Sequence, residues 1–173
     1  MSATKTLATV WLDGCSGCHM SLLDMDERLI ELSSQFTLVY SPLVDRKTFP
    51  ERVDVTLVEG AVASEDDLKK IRKIREHTRV LVSLGDCALT GNVSAMRNQY
   101  GPEPVLLRVY QEGQTAPTTG VPALLDRVRP VHEVVPVDVF VPGCPPSAET
   151  IFQVLTELLA GRVPTLEGVA HFG

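Results

Sequence analysis

Short apolar runs typical of buried β-strands recur through this 173-residue chain, and most are separated by amphipathic helical patterns. The runs are rich in Val, Leu and aromatic residues, and most of them stop at Gly, Pro or Asp. They cover residues 5–12, 36–40, 53–58, 80–84 and 137–141. A chain that alternates buried strands with helices is expected to form a parallel sheet with helices on both faces.

This pattern predicts an α/β fold, a flavodoxin-like three-layer arrangement with a central parallel sheet of about five strands in the order 2-1-3-4-5. The chain shows no internal repeat and no change of composition that would mark a second domain. We therefore predict one domain over residues 1–173.

The predicted helices follow from apolar spacing and from capping residues. We expect a helix of about three turns from Ser21, one capped by Ser64, and a short one over 93–98. A last helix carries an apolar stripe over 151–159. The proline-rich segment 99–136 is interpreted as a long loop that contacts a partner, with at most a turn of helix near its Leu124.

Four cysteines lie where predicted strands end. Cys15 and Cys18 follow the first strand, Cys87 follows the fourth and Cys144 follows the fifth. Because the carboxyl ends of parallel strands meet at one edge of the sheet, the four thiols should lie close together there. Each cysteine also has a glycine within two positions of it in the sequence, which leaves room for a bulky inorganic group.

Four thiolates bind either a zinc ion or a [4Fe-4S] cluster, and their number alone does not choose between the two. Structural zinc sites usually combine two close pairs, whereas here one Cys-x-x-Cys pair meets two single cysteines, which favours the cluster. A thioredoxin-like dithiol at Cys15 and Cys18 is a further alternative. Cys87 and Cys144 would then be plain buried thiols, as free cysteines often are.

Three other residues are candidates for supporting this site. Glu59 follows the third strand and should face the same crevice, where it would accept hydrogen bonds from loop amides or contact a partner, with a plain carboxylate ahead of a helix as the alternative. Trp11 precedes the first cysteine loop and is interpreted as a core residue, with shielding of a cluster as the alternative. His19 adjoins Cys18 and is a candidate for donating to a cluster sulfur or relaying protons, with a merely exposed side chain as the alternative.

Composition excludes several classes of partner. The net charge of −6 and the absence of a long basic run argue against nucleic acid. No stretch has the roughly 20 consecutive apolar residues that a membrane helix needs, so no direct membrane insertion is expected. With no export signal apparent, the sequence predicts a cytoplasmic protein, in which four cysteines favour metal or redox chemistry over disulfides.

The motifs VWLDGCSGC, VEGAV, LGDCA and VPGCPPS together resemble the small-subunit domain of nickel-iron hydrogenases, in order and in approximate spacing. The resemblance implies that the four cysteines bind the [4Fe-4S] cluster proximal to a nickel-iron centre held by a partner, the large subunit. It also implies that this chain carries electrons and has no catalytic residues of its own. The related 20 kDa subunit of respiratory complex I has two adjacent cysteines in the first motif, so the separation of Cys15 from Cys18 favours a hydrogenase.

The resemblance is strongest to the soluble NAD-reducing hydrogenases, in which iron-sulfur and flavin diaphorase subunits are further partners. No cysteine follows Cys144, so electrons are expected to leave through another subunit. Sulfhydrogenases and energy-converting hydrogenases are the alternatives. The glutamate that follows the cysteine pair in many family members is replaced here by His19, Met20 and Ser21, which puts the usual proton route in doubt. FMN is a less favoured cofactor because no phosphate-binding loop stands out.

Overall fold

The computed structural model describes residues 4–110, 119–166, 168 and 171–172. Five parallel strands form its central sheet in the spatial order β2-β1-β3-β5-β7. These strands are β1 (Lys5–Trp11), β2 (Phe36–Tyr40), β3 (Val53–Glu59), β5 (Thr78–Leu84) and β7 (Val139–Val141). The sheet order equals 2-1-3-4-5 when only these strands are counted, so the predicted flavodoxin-like arrangement is confirmed.

Helices cover both faces of the sheet, as the apolar strands require. On one face, α1 (Gly17–Leu23), α2 (Glu27–Ser33) and α7 (Ala148–Leu159) bury a core that includes Leu7 and Leu155. On the other face, α3 (Glu65–His77) and α4 (Asp86–Thr90) bury a second core that includes Val10 and Ile71. Central strands are thus buried on both sides, which explains their nearly continuous apolar sequence.

The helix predicted from Ser21 is wrong in extent. Helix α1 begins four residues earlier, at Gly17, and ends at Leu23; α2 follows only from Glu27. Between them Asp26 has a backbone φ of 49°, which is incompatible with a continuous α-helix. The break lets Met25 reach the core at 3% exposure. The start of α1 at Gly17 places Cys18 within a helical turn.

The interpretation of residues 99–136 as a loop is also wrong. The segment contains α6 (Pro102–Tyr110) and β6 (Leu124–Arg129), and residues 111–118 lie outside the described part. Strand β6 pairs antiparallel with β4 (Val62–Ser64), so Leu124 begins a strand and is not helical. The Asn98 side chain supports this pairing, because its amide bonds both the backbone N–H and the carbonyl of Val128.

The short helix predicted over 93–98 is present as α5 (Asn92–Ala95), which continues into a 3₁₀ turn, Met96–Gln99. None of the helices described has the length and the apolar character needed to cross a bilayer. The single-domain organisation over 1–173 stays a prediction.

Helix α3 is capped as its sequence predicts. The Ser64 hydroxyl accepts from Asp67 N at 3.1 Å, and the Asp67 carboxylate accepts from Ser64 N at 3.0 Å. These reciprocal bonds satisfy two backbone donors that a helix start otherwise leaves unpaired.

The substitution Ser64→Ala should therefore lower the free energy of unfolding by about 1 kcal/mol. The measurement is urea denaturation of the purified chain. Ser33→Ala is the matched control, because the exposed Ser33 hydroxyl only contacts Ile30 O near the end of α2; its effect should stay below about 0.5 kcal/mol. Equal losses in the two variants would contradict this role of Ser64.

Candidate iron-sulfur site

Backbone hydrogen bonds tie the loop after β5 to the loop after β7. Gly85 N donates to Val141 O at 2.8 Å, and Asp86 N donates to Gly143 O at 2.9 Å. The Asp86 carboxylate in turn accepts from Gly143 N at 2.7 Å. Cys87 and Cys144, the next residues in the two loops, are thereby held at the same edge of the sheet.

The loop after β1 is fixed to the same edge by separate contacts. Asp13 and Ala61 exchange backbone hydrogen bonds of 3.0 and 2.8 Å, which join this loop to the one after β3. The Ser21 hydroxyl donates to Pro146 O at 2.5 Å, which joins α1 to the loop after β7. The three loops that carry the cysteines are therefore held together, as their positions after parallel strands predict.

The four thiols differ in their access to solvent. Cys18 is buried in the first turn of α1, Cys87 is half-buried in α4, and Cys15 and Cys144 are exposed. Gly17 N lies 3.4 Å from Cys15 Sγ, so the first loop already directs one backbone N–H towards a sulfur. The four thiols thus range from one that is buried to two that are open to solvent.

Burial and crowding disfavour ionisation of the inner thiols. Burial is the main cause that raises the pKa of Cys18, followed by the charges of Glu59 and of the other three cysteines. Burial also raises the pKa of Cys87, with smaller contributions from Cys144 and Cys15. If these thiols are ionised, their thiolates need a positively charged group among them. Thiolates that bind a metal ion have such a group in the ion itself.

Gly85 makes room for the deepest thiol. A Cβ atom at this position would overlap Cys18 Sγ and would lie 3.4 Å from Gly143 O, and the backbone φ is +82°. Both the contact and the left-handed conformation therefore require glycine.

Glu59 lies beside the first cysteine loop in a buried hydrogen-bonded chain. Its carboxylate accepts from His19 N at 3.0 Å and also contacts His19 Nδ1. His19 Nε2 lies 3.0 Å from Thr9 Oγ1, which donates to Ser41 Oγ at 2.8 Å. Glu59 thus accepts from a backbone amide in the first turn of α1, not from a loop amide, and it holds the residue that follows Cys18.

This chain of hydrogen bonds corrects two expectations for His19. The side chain is 4% exposed, so the interpretation as a merely exposed first-turn histidine is wrong. Both ring nitrogens are engaged by Glu59 and Thr9, so the expected bond from His19 to a cluster sulfur is not formed. A proton-relay role for His19 stays a prediction.

Trp11 is not the core residue that its strand position suggested. It is 43% exposed, because it ends β1 where the strand leaves the sheet. Its indole Nε1 donates to Gly14 O at 3.0 Å, and its own carbonyl accepts from Lys70 Nζ at 2.9 Å. The ring lies along the first cysteine loop, and shielding of the site stays a prediction.

The sequence reasoning missed Asn92, whose Nδ2 lies 3.5 Å from Cys144 Sγ. The Gly91-Asn92 dipeptide signals a tight turn, but nothing in the sequence indicates that the turn brings the amide to Cys144. Among the described residues, no three His, Cys, Asp or Glu side chains converge tightly enough to hold a single metal ion.

The family described as "NADH ubiquinone oxidoreductase, 20 Kd subunit" matches this chain over residues 15–158. The chain belongs to that family. The NAD-reducing hydrogenase HoxS subunit delta of Cupriavidus necator is 42% identical to this chain over 165 residues, which cover 90% of this chain and 79% of the relative. A subunit of the F420-non-reducing hydrogenase vhu of Methanocaldococcus jannaschii is 37% identical, over 91% of this chain but only 57% of its own length.

Solved structures agree with this family assignment. A chain in the crystal structure of an NAD⁺-reducing [NiFe]-hydrogenase in the H₂-reduced state matches with a TM-score of 0.93 and 39% identity, over 98% of this chain and 99% of the other. A [NiFeSe]-hydrogenase chain from Dm. baculatum matches with a TM-score of 0.61 and 19% identity, over 92% of this chain and 62% of the other, and shows a shared fold. This family member is thus a hydrogenase small-subunit type of electron-transfer protein, as the motifs predicted.

The role of Gly85 can be tested against a glycine with a similar positive φ. Gly85→Ala should destabilise the chain by about 1–3 kcal/mol more than Gly101→Ala, because the new methyl group meets Cys18 Sγ. Gly101 has a φ of +77°, and a Cβ atom added there would meet nothing within 4 Å, so it reports backbone strain alone. Urea denaturation of both variants gives the comparison, and equal destabilisation would contradict the contact with Cys18.

Proposed function

We propose that this chain is the electron-transfer small subunit of an NAD-reducing nickel-iron hydrogenase, with one [4Fe-4S] cluster bound by Cys15, Cys18, Cys87 and Cys144. The observation that carries the proposal is the meeting of all three cysteine loops at one edge of the sheet, where hydrogen bonds fix their spacing. Such a cluster supplies one-electron transfer when it is bound. The chain itself would contribute binding, orientation and electrostatic environment.

The donor set fits an iron-sulfur cluster well. All four ligands are thiols, and the raised pKa values of Cys18 and Cys87 mean that positive iron ions would stabilise their thiolates. A single zinc ion needs every sulfur within about 2.3 Å of one point, whereas a cluster takes each thiolate on a different iron atom. Here the thiols come from three separate loops and range from buried to exposed, which favours the larger group over zinc.

A dithiol function for Cys15 and Cys18 explains less of the site. Cys87 and Cys144 are electrostatically coupled to the pair and are held beside it by the loop contacts. A dithiol exchange reaction would give these two thiols no role.

The electron acceptor is inferred from the relatives. The delta subunit and the solved hydrogenase that resemble this chain are both described as NAD-reducing. We infer that iron-sulfur and flavin diaphorase subunits are partners here too, in the cytoplasm, and that the nickel-iron centre lies in a large subunit. A sulfhydrogenase or an energy-converting hydrogenase is the alternative setting, and the delta subunit of sulfhydrogenase 2 of Pyrococcus furiosus is 33% identical to this chain.

An apolar strip along α5 and α6 supports the proposal of a large-subunit partner. It consists of side chains that are each 63–65% exposed: Val93, Met96, Tyr100 and Val109. Helix α6 has no buried residue although most of its side chains are apolar, and such helices are normally covered. Tyr100 and Val109 line the same groove, of about 330 Å³.

The strip begins directly beside the cysteines. Asn92, which contacts Cys144, precedes Val93, and the Ser94 hydroxyl donates to Asp13 O in the first cysteine loop at 3.1 Å. A subunit that covers the thiol edge would therefore also cover the strip. We assign this surface to the large subunit, because its metal centre must lie close to the proposed cluster for electron exchange.

The cluster assignment predicts the effect of removing single ligands. Cys87→Ala or Cys144→Ala should abolish most of the iron and acid-labile sulfide bound by this subunit, together with its EPR signal after dithionite reduction. Hydrogen-dependent NAD reduction by the complex should be lost. NADH-dependent dye reduction by the diaphorase subunits is the internal control and should be unchanged. Retention of hydrogen-dependent NAD reduction in either variant would refute the ligand assignment.

The partner assignment predicts the effect of charges on the apolar strip. The double substitution Met96→Glu and Val109→Glu should reduce co-purification of the large subunit about tenfold or more, since buried charges would lie in the interface. Ile30→Glu is the control, because Ile30 is a similarly exposed apolar residue on α2. Normal recovery of the large subunit with the double variant, or a selective loss of the diaphorase subunits, would overturn the assignment.

A further inference from the structure

Asn92 is a polar neighbour of the proposed cluster that is not one of its ligands. Its side-chain Nδ2 lies 3.5 Å from Cys144 Sγ, within the range for a hydrogen bond to sulfur. A thiolate can only accept, so the N–H group of the amide is the part that faces it favourably. Cys144 is one of the two exposed thiols, so the Asn92 amide approaches it at the protein surface.

The backbone holds Asn92 in a conformation that non-glycine residues seldom adopt. Gly91 has a φ of 84° and Asn92 has a φ of 35°, so two consecutive residues are left-handed. Left-handed residues other than glycine cost energy and are concentrated at functional sites. Asparagine tolerates this region better than most residues, which fits the presence of an amide at this position.

Local hydrogen bonds lock this turn to the Cys87 loop. Gly91 N donates to Cys87 O at 2.9 Å. Asn92 N donates to the Thr90 hydroxyl at 3.2 Å, and that hydroxyl donates to Asp86 O at 2.8 Å. The turn that follows Cys87 thus carries an N–H donor to Cys144. Hydrogen bonds hold the backbone of this turn, so the position of the donor does not depend on the Asn92 side chain alone.

An N–H donor at a ligand sulfur affects the two oxidation states differently. Reduction of a cluster adds one negative charge, part of which resides on the ligand sulfurs, so the donor stabilises the reduced state more than the oxidised state. The reduction potential is therefore higher with the donor than without it. Hydrogen bonds to sulfur are among the recognised means by which proteins set cluster potentials.

We propose that Asn92 raises the reduction potential of the cluster through a side-chain N–H···S hydrogen bond to Cys144. The inference rests on the proposed function, because it requires a cluster bound by Cys144. Four cysteines would thus bind the iron, and Asn92 would help to set the reduction potential of the cluster.

The test is an EPR-monitored redox titration of the anaerobically purified hydrogenase complex carrying Asn92→Gly or Asn92→Asp. Both replacements tolerate a positive φ, so the turn should be preserved. Asn92→Gly should lower the midpoint potential by about 59 mV if the bond favours reduction tenfold in a one-electron couple. Asn92→Asp should lower it further, because the carboxylate repels the sulfur charge. Gln99→Ala is the control, since it removes an exposed amide that contacts only Met96 O.

Iron and acid-labile sulfide are determined on the same samples, so that the two proposals can fail separately. A wild-type subunit without cluster iron would refute the proposed function. A cluster of normal iron content in both Asn92 variants, with a midpoint potential equal to that of the Gln99→Ala control, would refute the role of Asn92 alone. A shift to higher potential in Asn92→Gly would also refute it.

Discussion

The structure depends on bringing three cysteine-bearing loops to one edge of the sheet, where burial disfavours ionisation of the two inner thiols, Cys18 and Cys87. Burial raises the pKa values of Cys18 and Cys87, and the neighbouring cysteines raise them further. Hydrogen bonds of the surrounding chain fix the positions of the thiols. The loops after β5 and β7 are bonded to each other, and the first loop and α1 are anchored to Ala61 and Pro146. Ionised thiols in this arrangement would repel one another, so the proposed cluster would supply the positive iron ions that their thiolates need.

A second layer of polar residues keeps the cysteine loops in place. Glu59 holds both the backbone and the ring of His19, and the ring in turn reaches Thr9. Asn92 is held by the Thr90 hydroxyl. The two sets of contacts differ in burial: Glu59, His19 and Thr9 are buried and adjoin Cys18, whereas Asn92 lies next to the exposed Cys144. The surroundings of the proposed cluster are therefore asymmetric, with a buried polar chain near Cys18 and an exposed contact at Cys144.

The sequence predicted much of this architecture because strands buried on both faces leave a strong apolar signal. The five-stranded sheet, its order and the position of the cysteines at its carboxyl edge follow from that signal and from the handedness of parallel connections. The predictions were wrong where tertiary contacts determine the local structure. The break at Asp26 serves the burial of Met25, and β6 forms only because it can pair with β4. Trp11, His19 and Asn92 were misjudged or missed because the direction of one side chain is not encoded in periodicity.

The sheet topology also determines when the site can first exist. Cys15 lies in the first loop, whereas Cys144 follows β7, the edge strand that joins the sheet by pairing with β5. Roughly 130 residues separate the two, so several seconds of synthesis pass between their appearances at the ribosome at typical rates of translation. During that interval Cys15 and Cys18 are free thiols on a chain whose last strand is missing. Insertion of the proposed cluster would therefore follow the synthesis of β7 and of the loop after it, and protection of Cys15 and Cys18 until then would depend on the cellular redox environment.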